Sequence, residues 1–200
     1  MKLPFDPLVA SLLSRRPLIV ALAGPNGAGK STFFHSFLSD VGLRFVNADV
    51  LAKESGLEAY AAAGLADALR RRLVEQRESF IFETVFSDPA QDKLDFLKGA
   101  IELDYTVVLC FIGTSAAEIS EDRVALRVTQ GGHDVPTNKL NERYPRIMKN
   151  LETALRTLPL IWVFDNSDLE NPYLLVARVV AGHPTALYHP LPEWLEKIWP

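Results

Sequence analysis

The stretch Ala23-Gly24-Pro25-Asn26-Gly27-Ala28-Gly29-Lys30-Ser31-Thr32 decides how the rest of this chain is read. It fits the phosphate-loop pattern G-x-x-x-x-G-K-[ST], with Gly24 first and Ser31 last. Upstream, Pro17 to Leu22 is an apolar run of the kind that forms a buried strand. Downstream, Phe33, Phe34, Phe37 and Leu38 recur at helical spacing. Strand, glycine turn and helix is the context that gives the motif its meaning, because the glycines let backbone N–H groups curl round phosphate oxygens at a helix N-terminus. Gly24, Pro25, Asn26, Gly27, Ala28, Gly29, Lys30, Ser31 and Thr32 are therefore the candidate nucleotide-binding residues. ATP and Mg²⁺ are the expected cofactors: Lys30 would reach the β- and γ-phosphates, and the Ser31 hydroxyl would ligate the metal. Lys30 is expected to be exposed to its ligand and not packed.

The chain of 200 residues suits a single domain with an ample core. A net charge of −4 argues against a general nucleic-acid binder. The only cysteine, Cys110, has no intrachain partner, which fits a reducing, cytoplasmic setting. No apolar run reaches the ~18 residues of a spanning helix, and Met1 to Arg16 lacks the features of a signal peptide, so no membrane association is expected.

Along the chain, short strands are expected at 44–47, 80–82, 105–112 and 160–164. Helices are expected at about 57–76, 89–101, from Ser115 to near Gly131, and at about 137–158 with Pro145 as a kink or break. This alternation predicts an α/β fold: a phosphate-loop NTPase whose parallel sheet carries helices on both faces. Ligands of such sheets bind beyond the carboxyl ends of the strands, where Gly24, Asp49, Glu83-Thr84, Thr114 and Asp165-Asn166 fall. The tail reads as a β-hairpin, Tyr173 to Val180 and Thr185 to Tyr188 around a Gly182-His183-Pro184 turn. A short helix from Pro192 follows, and the whole is expected to pack on the sheet.

Neither an ABC signature nor the base-recognition motif Asn-Lys-x-Asp of GTPases occurs. A small-molecule kinase needs instead a carboxylate at the acceptor hydroxyl and cations around the transferred phosphoryl group. Asp49 suits the first role; its other reading is a helix N-cap. Glu83 could hold Mg²⁺ through water or bind a substrate hydroxyl. Arg123 and Arg127 share one helix face, and Lys139, Arg143 and Arg146 form a stripe at i, i+4, i+7 that flanks the apolar stripe Leu140, Ile147, Leu151, Leu155 and Leu158. That stripe either lines a cleft or is a solvated face. Gly131-Gly132-His133-Asp134-Val135-Pro136 reads as a hinge and stop, suited to a lid.

The succession AGPNGAGKST, NADVLA, FETVFS, RVTQGGHDVP, RYPRIMKNL and FDNS resembles the zeta toxin family of bacterial kinases, from about Leu18 to Ser167. The Gly-Gly-His-x-Val-Pro stretch between arginines is its most specific part and belongs to a compact subgroup. The resemblance implies an adenylate-kinase-like core and phosphorylation of a sugar hydroxyl of UDP-N-acetylglucosamine, with an antitoxin protein as restraining partner. It implies Lys30 and Ser31 for ATP and Mg²⁺ and Asp49 as the base. It places Glu83, Thr84 and His133 toward the substrate, and Arg127, Arg143 and Arg146 in the phosphate-clamping region. The expected function is thus an ATP-dependent kinase for a small-molecule hydroxyl. The alternatives are another sugar or a nucleoside as acceptor, or a nucleotide-binding regulator with little turnover.

Overall fold

A computed structural model of the chain describes residues 11–115 and 137–200. Among the described residues the phosphate-loop strand β1 (Leu18–Ala23) is the middle one of the five parallel strands of a seven-stranded sheet, every one of its residues buried. It is flanked in parallel by β3 (Phe80–Thr84) and β4 (Thr106–Gly113); β2 (Arg44–Val46) lies outside β3 and β5 (Leu160–Asp165) outside β4, again parallel. Parallel strands with both faces covered read as unbroken apolar runs, which is why these segments stood out in the sequence.

Burial divides by the period of two expected of strands. Ile19, Ala21 and Ala23 face one core together with Phe80, Phe82, Val107, Leu109 and Phe111. Into this core pack α3 (Ala59–Glu75) through Ala66 and Leu73, α4 (Asp92–Glu102) through Leu94 and Leu97, and α5 (Thr137–Thr157) through Ile147, Leu151 and Leu155. Leu18, Val20 and Leu22 face a second core with Val108, Cys110, Trp162 and Phe164. Phe33, Phe34 and Leu38 of α1 (Lys30–Phe33) and its π-helical continuation Phe34–Leu38 close it. Burial pushes the Cys110 thiol up to about 12, so it is a core residue with no thiolate chemistry at neutral pH.

Four expectations change. A separate helix, α2 (Ala48–Ser55), precedes α3; Asn47 caps its start and Gly56, at φ 69, ends it. Next, of the kink or break expected at Pro145 the break is absent, since α5 continues through it. The ring removes one backbone hydrogen bond, and the buried residues on either side, Leu140 before it and Ile147 and Leu151 after it, hold the helix in place. The hairpin is present, but it extends the sheet instead of packing upon it: β6 (Leu174–Val180) runs antiparallel to β5 and β7 (His183–Ala186) antiparallel to β6. Its turn is Ala181-Gly182, both at positive φ as a tight two-residue hairpin turn requires, so His183 and Pro184 belong to β7. Pro184 is tolerated there because β7 is the sheet edge. The helix expected from Ser115 and the loop from Gly131 to Pro136 lie outside the described residues. Among those residues no helix is long and apolar enough to cross a membrane.

Candidate active site

All five parallel strands deliver their carboxyl ends to one edge of the sheet, and the phosphate loop leaves β1 at that edge. Gly24 and Gly29 are required here. Gly24 has φ 144, and a Cβ would collide with the Ile112 carbonyl of the neighbouring strand. Gly29 has φ 91, and a Cβ would stand 2.7 Å from the Tyr173 hydroxyl and 2.8 Å from Asn166 Nδ2. Those two side chains fix the loop from below: Asn166 Nδ2 donates to the Ala28 carbonyl at 2.9 Å and Tyr173 Oη to the Gly29 carbonyl at 3.0 Å. Asn166 follows β5 and Tyr173 precedes β6, so the first antiparallel strand positions the nucleotide loop. The last helix, α6 (Glu193–Glu196), braces the same edge. Its Trp194 lies where a side chain at Gly113 would be and donates from Nε1 to Asp165 Oδ1 at 3.1 Å.

Lys30 is 5% exposed, so it is packed and not the exposed side chain expected. Its Nζ donates to the Pro25 carbonyl at 2.8 Å and lies 3.8 Å from Glu83 Oε1. Glu83, at the end of β3, is the hub of the site: Oε2 accepts from Ser31 Oγ at 2.8 Å and from Asn47 Nδ2 at 2.7 Å. Asn47 meanwhile caps α2, its Oδ1 accepting from the Asp49 and Val50 amides at 2.8 and 3.2 Å. The N-cap role considered for Asp49 therefore belongs to Asn47. Asp49 stands in the first turn of α2, where the helix dipole favours a carboxylate.

A cleft of ≈ 380 Å³ opens over this edge. Lys30, Asp49, Glu83 and Thr84 line it, as does Asn26. From α5, Lys139 and Arg143 reach it, while Arg146 is exposed and does not line it. Arg123, Arg127 and His133 lie outside the described residues. Tyr144 Oη, donating to the Thr114 carbonyl at 3.4 Å, ties α5 to the end of β4. Burial first, then the Asp165 carboxylate, pushes that phenol above its ordinary range, so it stays a donor at neutral pH.

Sequence reasoning missed Asn47, Tyr60, Asp67, Arg70 and Lys93, which also line the cleft. The cap signal at Asn47 could have been found, since an Asn directly before Ala48-Asp49 is a strong N-cap. Its bond to Glu83, 36 residues away, leaves no local trace.

A phosphate loop on the central strand of a largely parallel sheet, with cations and carboxylates gathered over its edge, defines a phosphate-loop kinase fold. The family model described as Zeta toxin matches residues 9–173, and the chain belongs to the zeta toxin family. No curated protein matches the sequence. Among solved structures, a chain of the AvrRxo1-ORF1:AvrRxo1-ORF2 complex with sulphate ions is 20% identical, with a TM-score of 0.69. The match covers 95% of this chain and 66% of that one, so the present chain spans just under two thirds of that relative's length. Another structure of that pair is with ATP. A chain of the PezAT toxin-antitoxin system of Streptococcus pneumoniae is 17% identical, TM-score 0.57, with 79% of this chain and 74% of that one covered. At these identities the likeness is one of fold.

Proposed function

We propose that the protein is an ATP- and Mg²⁺-dependent kinase that phosphorylates a hydroxyl of a small molecule, with a UDP-sugar such as UDP-N-acetylglucosamine as the favoured acceptor. Membership of the zeta toxin family and the phosphate-loop kinase fold support the kinase class. The observation that carries the reading is the bridge through Glu83: by accepting from both Ser31 and Asn47 it joins the nucleotide loop to the start of α2, so that Asp49 and Lys30 line one cleft. An antitoxin protein is the proposed restraining partner, and the cytoplasm the proposed setting.

The donors present fit Mg²⁺. Ser31 Oγ and Glu83 Oε2, 2.8 Å apart, are hard oxygen ligands, and Asn26, a residue of the cleft wall, has a buried Oδ1 with no hydrogen-bond partner among the described residues. When bound, the ion neutralises phosphate charge. In the proposed reaction Asp49 takes the acceptor hydroxyl proton as the new O–P bond forms and the bond from the γ-phosphorus to the ADP oxygen breaks. Lys30 holds the phosphates, Arg143 meets the charge on the phosphoryl group in flight, and Glu83 and Thr84 face the acceptor. Arg127 and His133, which lie outside the described residues, complete the proposed set, whereas Arg146 is exposed and outside the cleft.

Asp49→Asn tests the kinase reading against a binding protein that turns over little ATP. Because Asn47 supplies the cap, the fold should survive; the charge at the helix N-terminus itself contributes ~0.3–1 kcal/mol. Single-turnover transfer should fall about 10²–10⁴-fold, the range for a lost general base. ATP·Mg²⁺ affinity by calorimetry should be unchanged. Lost nucleotide affinity would instead put Asp49 in the metal shell, and unchanged transfer would remove it from the chemistry.

A further inference from the structure

The cleft does not end at the catalytic groups. One face of α3, carrying Ala59, Tyr60, Ala63, Ala66, Asp67 and Arg70, forms its wall. Ten residues at 1.5 Å rise put Tyr60 and Arg70 ~15 Å apart along that wall. Tyr60 is 86% exposed at one end, while Arg70 is 5% exposed at the other. Arg70 lies with its guanidinium 4.9 Å over the Phe82 ring. Lys93, in the first turn of α4, completes that end. Asp67 pairs with Arg70 and, at 3.0 Å, with Lys93, so one carboxylate is shared by two cations. A second cavity of ≈ 200 Å³, lined also by Arg71, Asp92 and Phe96, meets the cleft at these three residues.

A guanidinium that only pinned α3 to the sheet would need one carboxylate and no cavity. Here two cations share one carboxylate at the junction of two cavities. Asp88 and Asp92 add some compensating charge near Lys93. Even so, burial first and then the neighbouring Arg70 charge hold the Lys93 ammonium below its ordinary range. Burial and Arg71 hold Arg70 down to about 10, against the opposing effect of Asp88. An added anion would relieve both cations. The Arg fork offers two parallel donors to a tetrahedral oxyanion, and Lys93 a further point charge.

We propose that Arg70 and Lys93, held by Asp67, bind a phosphate group of the acceptor, at the end of the cleft remote from Tyr60. The acceptor is then a phosphate-bearing molecule, which rests on the kinase reading above; the anion site itself does not.

The test fills the phosphate loop with a non-hydrolysable ATP analogue and Mg²⁺ and then titrates inorganic phosphate by calorimetry. Phosphate should bind wild type, and Lys93→Gln should weaken it about 10–100-fold, the loss of one or two charge-assisted hydrogen bonds. ATP-analogue affinity and melting temperature should hold. Arg70→Lys, which keeps the charge and loses the fork, should weaken phosphate similarly, and it serves if Lys93→Gln does not fold. Acetate should bind at least about tenfold more weakly than phosphate. No phosphate binding, binding equal in wild type and variants, or acetate as tight as phosphate overturns the proposal. Phosphate binding that depends on Lys93 without transfer to any acceptor would leave the anion site standing and remove the kinase reading. Transfer to an acceptor with no Lys93-dependent phosphate binding would leave the kinase reading standing and overturn the anion site.

Discussion

Lys30→Ala abolishes phosphoryl transfer, the largest effect expected of any single change in this chain. The side chain carries two burdens. Its ammonium is the charge the proposal sets against the β- and γ-phosphates, and no other cation lies on the loop itself, whose remaining residues are glycine, alanine, proline, asparagine, serine and threonine. It also donates to the Pro25 carbonyl and stands 3.8 Å from the largely buried Glu83. Truncation removes the charged donor to the Pro25 carbonyl, which keeps the Ala28 amide at 3.3 Å, and takes a cation from the Glu83 carboxylate, which keeps Ser31 and Asn47. A hydrogen bond from a charged group is worth ~1.5–3 kcal/mol, so the variant should be folded but measurably less stable. Circular dichroism and thermal melting establish the fold, and single-turnover transfer reads the chemistry. Normal transfer by a folded Lys30→Ala protein would end the nucleotide-site reading.

Arg143→Ala should lower turnover about 10³–10⁵-fold with little change in ATP affinity, the range for an arginine that meets transition-state charge. The expectation rests on placement. Arg143 is half-buried on α5 and lines the cleft that holds Lys30 and Asp49, whereas Arg146, one turn on, is exposed and outside it. The helix is anchored at this point through Tyr144 to the end of β4 and by Leu140 and Ile147 in the core, so the guanidinium projects from a fixed element. Steady-state kinetics on Arg143→Ala and Arg146→Ala separate the two. Near-wild-type turnover in both would make the stripe a solvated face.

What was legible in the sequence is what local pattern controls. The strands stood out because both their faces are buried, and the loop because backbone geometry at Gly24 and Gly29 admits no side chain. The hairpin announced itself through Gly182, although its register shifted because Ala181 also takes positive φ. What was not legible depends on partners distant in the chain. Arg70 sits in a helix rich in alanine, leucine and arginine where no local pattern marks it out; only the fold brings it over Phe82 and beside Lys93. Glu83 read as a Mg²⁺ or substrate contact, but its bonds to Ser31 and Asn47, 52 and 36 residues away, left no local trace. Tyr173 read as the start of a hairpin, but its hydroxyl supports Gly29 across 144 residues. The split into α2 and α3 is different: Asn47 before and Gly56 after are ordinary cap residues, and that boundary was readable.

The central claim is that this cleft transfers a phosphoryl group to a hydroxyl. The most direct measurement incubates the wild-type chain with ATP, Mg²⁺ and a panel of hydroxyl acceptors that includes UDP-N-acetylglucosamine. ADP release and product mass are followed, with Asp49→Asn run alongside. The account predicts ADP release that requires an acceptor, a product heavier by one phosphoryl group, and loss of both in the variant. Nucleotide binding with no acceptor-dependent ADP release, or equal release by wild type and Asp49→Asn, would contradict it.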